Sequence, residues 1–571
     1  MGRRDTSADF WHDRRVPFTL KPPDSRNTRI KGSHPLASTA AAVAVVAVVT
    51  FGLHYGLFVA AAADAYGYVS QADLWASGSP IVRQPVAEAM TWRNADVTLA
   101  PLGYRPHRPA PHGTDIVPIY APGLPMVMAV FKRLAGAQAV YVVVPLLGGL
   151  AVWATYLMGA RLSGSLAGAF AAVLLAGSPT FLFEIVSPTS DVPCTAWWAL
   201  SLALLLYEGR AAAFAAGLST GLAILTRPNV VLAAAVPGAA LVWQAARERF
   251  RTTGARRESE PAEFATSNAT ARVFWFAAGS VPFCIAVALI NNSLYGSPFS
   301  SGYASFDVLY KWSHLLPNLA RYPRWLLETE TPIMLLGLAA PFVLRARAPA
   351  TDLPRSPRWV ATAWLCFVAA VFVSYLFYLP FEEWWYVRFL MPAYPPLLVL
   401  TSAVLLALLA PLSRALKGGG ELAAAVIVAV VAWRCTNFSI ERGAHLQWKA
   451  EQRYATVGNY VASTLPDRAV LLSMQHSGAI RHYSRRLTVR YDLIEPADLD
   501  LVLDQLRSLG YAPFIAVEEW EEPLFRKRFE GHSAVAALNW IPVAFLHSNQ
   551  VRIYDPGDRQ PDRQRVPDVV P

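Results

Sequence analysis

Charge is scarce in this 571-residue sequence. Asp, Glu, Lys and Arg make up 16% of it, against 54% hydrophobic residues. That balance excludes an ordinary soluble globular chain. Cysteine is scarce too. Cys194, Cys284, Cys366 and Cys435 lie in or beside apolar segments, and the polar carboxyl-terminal region has none. A disulfide framework is therefore not indicated. No Gly-rich loop closed by Lys appears, so nucleotide hydrolysis has no support. The polar stretch "SMQHSGAIRHYSRR" (473–486) lacks the Gly-x-Ser-x-Gly elbow of hydrolases, and Ser477 reads there as a cap. A short cleavable signal is not expected. The first 35 residues are polar, and the first apolar block is long enough to stay as a span.

Long apolar blocks are what the sequence has instead. A bilayer core about 30 Å thick takes about 20 apolar residues per helical span. Helices are expected because backbone groups must satisfy one another in lipid. The fold class read from these blocks is a polytopic α-helical membrane protein. Eleven spans are predicted near 37–60, 138–159, 165–184, 192–208, 211–226, 229–245, 273–292, 332–345, 359–379, 389–411 and 420–435.

Basic residues set the direction of the spans. Arg3, Arg4, Arg14 and Arg15 precede the first span. Arg247, Arg249, Arg251, Arg256 and Arg257 share one loop, Arg345, Arg347, Arg355 and Arg358 another, and Arg414 and Lys417 a third. All four groups fall on one side, which is expected to be cytoplasmic. The 61–137 loop, the 293–331 loop and everything after residue 435 then face outward. Lys and Arg number 50 against 40 Asp and Glu, an excess of 10 that this topology largely explains without nucleic acid.

The expected organisation is a cytoplasmic segment at 1–36, a transmembrane domain at 37–435 that includes the 61–137 loop, an extracytoplasmic α/β domain at 436–558 and a disordered tail at 559–571. Strands are predicted at "AVLLSM" (469–474), "RLTVRY" (486–491) and "PFIAV" (513–517). "DLDLVLDQLRSLG" reads as a helix ending at Gly510, with a closing strand pair around His547–Gln550.

Candidate site residues gather at the outward turns. "ADAYGYVSQADLW" leaves the first apolar block at Asp64, the first acid after Asp24. A carboxylate there is placed to accept a proton from a hydroxyl, the work of a general base. A solvated acid ending a helix is the plainer reading. At helical spacing Asp64, Tyr68, Gln71 and Trp75 share a face, and Tyr68 and Trp75 also read as interfacial anchors. In "YRPHRPAPHGTD" (104–115), Arg105 and Arg108 suit a phosphate through paired donors. His107, His112 and Asp115 match no strong metal spacing. Asp191 in "SPTSDVP" reads as a helix cap or a cavity acid. Arg227 in "TRPN" is a partner for Asp191 or for phosphate. Arg388 in "FEEWWYVRFLMPAYPP" reads as a phosphate contact or as an Arg reaching for headgroups.

The ordered motifs resemble the GT-C glycosyltransferases that use polyprenyl-phosphate sugars, including protein O-mannosyltransferases and lipid A aminoarabinose transferases. The motifs are "DAYGYVSQADLWASG", "YAPGLPMVMAVFKRLAG", "SDVP", "TRPN", "NNSLYGSPFSSGY" and "VRFLMPAYPPLLVL". The resemblance implies that Asp64 is the base of an inverting transfer, that Arg388 contacts the donor phosphate and that Asp191 lines the cavity. Its partners would be a polyprenyl-phosphate-linked sugar and a lipid, glycan or protein acceptor. Many relatives carry Asp-Glu where this chain has Asp64-Ala65, so a second acid is missing there. Glu88 and Asp96 are the next acids after Asp73. No cofactor is required by any motif, and a divalent metal stays open. The expected location is the inner (plasma) membrane. Two rival readings remain, an inactive relative serving as a binding module and a secondary transporter. The transporter suits the sequence less well, because the charges cluster at the rims of the spans.

Overall fold

The computed structural model describes residues 35–107, 115–255, 268–344, 356–559 and 567–570. Arg108, His112 and the amino-terminal arginines lie outside the described residues. So do Arg256, Arg257, Arg345, Arg347 and Arg355.

Among the described residues, seven helices are long and apolar enough to cross a bilayer. They are Pro35–His54, Ala137–Ser163, Pro228–Phe250, Asn268–Tyr295, Pro357–Leu376, Trp384–Ala415 and Gly419–Glu441. Two bent pairs raise the count to nine. Ser165–Ala176 meets Pro179–Ile185 at 62°, and Trp312–Glu330 meets Pro332–Val343 at 106°. The expected count of eleven is not reached on these criteria. The shortfall lies in two short helices, Asp191–Leu204 with 14 residues and Arg210–Thr226 with 17. About 20 residues are needed for a straight span.

The bends have local causes. Pro179 and Pro332 each open the second helix of a pair, where a missing N–H costs nothing. Ser178, at the first break, accepts a hydrogen bond from the Phe181 amide. It also donates to Glu330, at the second break, at 2.6 Å. The two breaks are thus tied together inside the bundle.

The carboxyl-terminal region holds a six-stranded sheet. Its strands are β3 (Ala469–Leu472), β4 (Leu487–Val489), β5 (Ala512–Glu518), β6 (Ala544–Leu546), β7 (Val551–Tyr554) and β8 (Asp568–Val570), in the order β4-β3-β5-β7-β6-β8. A two-stranded ribbon, β1 (Tyr104–Pro106) with β2 (Ile116–Pro118), lies in the first long loop. The half formed by β4, β3 and β5 is parallel, and the Ser477–Ser484 and Leu499–Ser508 helices make the crossovers. Leu499, Val502, Leu503 and Leu506 are buried at the helical spacing that faces a sheet. β7 then runs antiparallel to both β5 and β6.

Two expected boundaries need correction. Asp568–Val570 pairs with β6, so these three residues belong to the sheet. The first long loop does not belong to the transmembrane part alone either. Trp92 and Leu99 share one apolar core with Val470, Leu472, Val489 and Phe525 of the carboxyl-terminal unit. Arg490 donates its amide to the Thr98 carbonyl at 2.7 Å, and Arg481 donates to Gln84 Oε1 at 2.6 Å. Hydrophobic burial holds this segment, and the hydrogen bonds set its register.

The Ser477–Ser484 helix joins this unit to the helical bundle. Ser477 Oγ accepts from the Leu102 amide at 3.1 Å, and Tyr483 Oη accepts from the Ala60 amide at 2.8 Å. Gly478 lies flat on Tyr66, where an added Cβ would come within 2.2 Å of the ring.

Candidate active site

Asp64 is the first residue of the Asp64–Ser77 helix, and its side chain is 42% exposed. Tyr120 donates to Asp64 Oδ1 at 2.7 Å. That contact depends on Gly67, one helical turn away, where a Cβ would sit 2.0 Å from the Tyr120 ring. Gln71 Nε2 donates to the Tyr120 carbonyl at 3.2 Å, which fixes the backbone behind the ring. Burial and the Asp64 charge hold the Tyr120 phenol well above its ordinary range, so it acts on Asp64 as a donor.

Arg388 comes from the opposite end of the sequence, in the Trp384–Ala393 turn that opens the Tyr394–Ala415 helix. Its Nη2 donates to Asp64 Oδ2 at 3.1 Å. Nη1 reaches Glu184 Oε2 at 3.4 Å, and Nε lies 4.0 Å from Asp191 Oδ2. Arg227 closes the group by pairing with Asp191 Oδ1 at 2.5 Å. Both guanidiniums also lie over the Phe389 ring, at 5.7 Å for Arg388 and 5.1 Å for Arg227. Three carboxylates thus face two guanidiniums.

The residues expected at the site divide into three groups. Asp64, Asp191, Arg227 and Arg388 come together as one charged cluster. Tyr68 stands beside it. It is buried, donates to Ser190 Oγ at 2.8 Å and packs 4.7 Å from the Tyr120 ring. It is not an interfacial anchor. Arg105 is placed otherwise. It donates to the Ser301 carbonyl at 3.2 Å and lies over Tyr295, so it ties the 293–305 loop to β1. Arg108 and His112 fall outside the described residues, and His107 Nε2 contacts the Ser293 carbonyl at 3.1 Å.

Glu184 and Tyr120 were not anticipated. Glu184 was partly visible in "FLFEIV", because an acid inside an apolar run marks a functional position by default. It brings a second carboxylate to Arg388, beside Asp64. Glu88, by contrast, is exposed on the segment that packs into the carboxyl-terminal unit. Tyr120 carries no sequence signal of its role, which depends on Gly67 sitting beneath it.

Residues 118–256, which carry Tyr120, Glu184, Asp191 and Arg227, match the family model of dolichyl-phosphate-mannose-protein mannosyltransferases. No curated protein matches the chain by sequence. The fold is similar to that of ArnT from Cupriavidus metallidurans in its crystal structure bound to undecaprenyl phosphate. The TM-score is 0.55 and the identity 14%, over 91% of this chain and 97% of that one. It is also similar to the oligosaccharyltransferase of Archaeoglobus fulgidus. The apo form gives a TM-score of 0.50 at 12% identity, over 93% of this chain and 75% of that one. The same enzyme tethered to an acceptor peptide gives 0.51 at 12% identity, over 93% and 74%. The chain thus shares the fold of these solved structures, with seven helices, or nine if each bent pair is one span, long and apolar enough to cross a membrane among the described residues.

Proposed function

We propose that the chain moves a sugar from a polyprenyl-phosphate donor to a hydroxyl acceptor, with inversion. The observation that carries this reading is the Asp64–Arg388 pair, a half-exposed carboxylate 3.1 Å from a guanidinium. Asp64 takes the proton of the acceptor hydroxyl. The acceptor oxygen attacks the sugar's anomeric carbon, and the bond from that carbon to the phosphate oxygen breaks on the opposite face. The leaving phosphate gains negative charge, and Arg388 stabilises it. Arg227, paired with Asp191, adds positive potential behind. Such preorganised charge is often the largest single contribution to catalysis.

An apolar cavity of about 660 Å³ supports the donor class. Its lining includes Pro228, Asn229, Leu232, Phe306 and Trp312, so it begins beside Arg227. A polyprenyl chain suits that lining while its phosphate lies near the arginines. ArnT in the undecaprenyl phosphate complex has the same fold, which agrees with this class of donor. A divalent metal does not suit the carboxylates. Each faces a guanidinium, and no group of three His, Cys, Asp or Glu that could hold a metal ion is found among the described residues.

The proposed location is the inner (plasma) membrane, with the amino terminus cytoplasmic and the carboxyl-terminal unit extracytoplasmic. The test uses purified wild type and Asp64→Asn with a panel of polyprenyl-phosphate sugars, and it measures released polyprenyl phosphate. Release by the wild type and its loss in the variant is expected. Equal release by the variant removes Asp64 as the base. A folded wild type that releases none with any donor points to an inactive relative or a transporter.

A further inference from the structure

Arg388 holds an acid at each end of its fork, and the two acids differ in how easily they let go. Asp64 is 42% exposed, whereas Glu184 is 7% exposed. Glu184 also accepts a hydrogen bond from Thr189 at 3.0 Å. The charged groups facing Glu184 are Arg388, Asp191 and Asp64. Glu330 lies beyond the other end of the same short helix, where it accepts from Ser178. Asp191 is already paired with Arg227, so it is not free to replace Glu184 on Arg388. An anion entering from the open side therefore meets the Asp64–Arg388 contact first. Trading Asp64 for a phosphate oxygen returns an exposed carboxylate to water. Releasing Glu184 would instead leave a buried carboxylate without its countercharge, which is far more costly.

We infer that Glu184 is a positioning residue for the transfer: it anchors one end of Arg388 while the other end passes from Asp64 to the donor phosphate. The inference rests on the polyprenyl-phosphate reading above. Its consequence is an order of events. Asp64 keeps its guanidinium partner until the donor arrives, and it is then released to the acceptor hydroxyl with Tyr120 still on Oδ1. The anchor also prevents the fork from closing with both ends on Asp64, a bidentate pair that would compete with the phosphate.

The test compares full-length wild type, Glu184→Gln and Glu184→Asp. Steady-state turnover is measured with a donor that the wild type uses. Polyprenyl phosphate binding is measured separately by tryptophan fluorescence. Glu184→Gln is expected to raise the donor KM, and to weaken polyprenyl phosphate binding, by about tenfold. The acceptor KM stays unchanged, and Glu184→Asp recovers part of the loss. A lower melting temperature with an unchanged donor KM assigns Glu184 a structural role only and overturns the inference. So does a Glu184→Gln variant indistinguishable from wild type. A folded wild type that neither binds polyprenyl phosphate nor turns over any donor overturns the donor reading, and the inference with it.

Discussion

Two buried clusters of acids and arginines occupy this molecule, and they are built to opposite ends. In the carboxyl-terminal unit, Glu518 accepts from His476 at 2.9 Å, Arg453 at 3.0 Å and Trp520 at 2.7 Å. Glu521 accepts from the amides of Gln475 and Glu518, at 3.1 and 2.9 Å, and from Tyr491 at 3.2 Å. His476 is fully buried and stacks on Tyr454 with 4.4 Å between ring centres. Every acid there is satisfied, and the cluster is closed. At the membrane site Asp64 is left half open. A closed cluster fixes a fold, whereas an open one keeps an exchangeable ion pair within reach of a ligand. The two share residue types, so composition alone does not separate them.

Breaking Arg388 gives the largest expected effect. In the proposed transfer, Arg388→Ala removes the charge opposite the leaving phosphate, and it takes from Glu184 its guanidinium partner. Turnover with a polyprenyl-phosphate donor is expected to fall by about a thousandfold. A loss smaller than tenfold would place the leaving-group contact elsewhere.

The closed cluster fails in another way. Glu518→Gln takes from Arg453 one of its two carboxylate partners, leaving Glu451, and is expected to cost about 3 kcal/mol of stability. The melting temperature of the full-length protein drops, while turnover per folded molecule holds. Turnover lost at temperatures where the variant is still folded would erase the distinction between the clusters.

Gly67→Ala tests the open cluster through packing. The new Cβ displaces the Tyr120 ring from above Asp64. A drop of about tenfold in turnover is expected, since a misplaced orienting group costs on that order. Unchanged kinetics would show that Tyr120 is not needed to orient the base.

The smallest effect is a pH dependence in the closed cluster. Burial pushes the Glu521 carboxyl up to about 7 from its ordinary 4.5. The folded state therefore binds more protons than the unfolded state in that window, and stability falls as pH rises from 4.5 to 7. Burial also pushes Glu518 up, but His476 and Arg453 outweigh it and hold that carboxyl down at about 2. Its stabilising contribution is lost as pH falls from 4.5 toward 2. Melting curves at pH 5 and pH 8 measure the alkaline loss, and Glu521→Gln is expected to flatten it. A slope identical in variant and wild type would reject the assignment.

Much of the arrangement was legible before any coordinates. Apolar runs located the helices, and the turns carrying Asp64, Asp191, Arg227 and Arg388 were singled out at the ends of those runs. Arg105 misled because a basic, Pro-rich loop looks alike whether it binds phosphate or a neighbouring carbonyl. Trp92 and Leu99 gave no warning that they leave the bundle, since a loop's own residues do not reveal which core buries them.

Composition and periodicity by themselves determined that the chain carries helices able to cross a bilayer and that a carboxylate follows the first apolar run. Lipid tolerates few charges and no unpaired backbone, so these constraints are written locally. Which acid stands against which arginine was decided only by tertiary structure. Glu184 and Arg388 are 204 residues apart, and Asp64 and Arg388 are 324 apart. No local spacing rule reaches that far. Packing alone set Glu184 deep and Asp64 at the rim, and that difference in burial is what the proposed roles of the two carboxylates rest on.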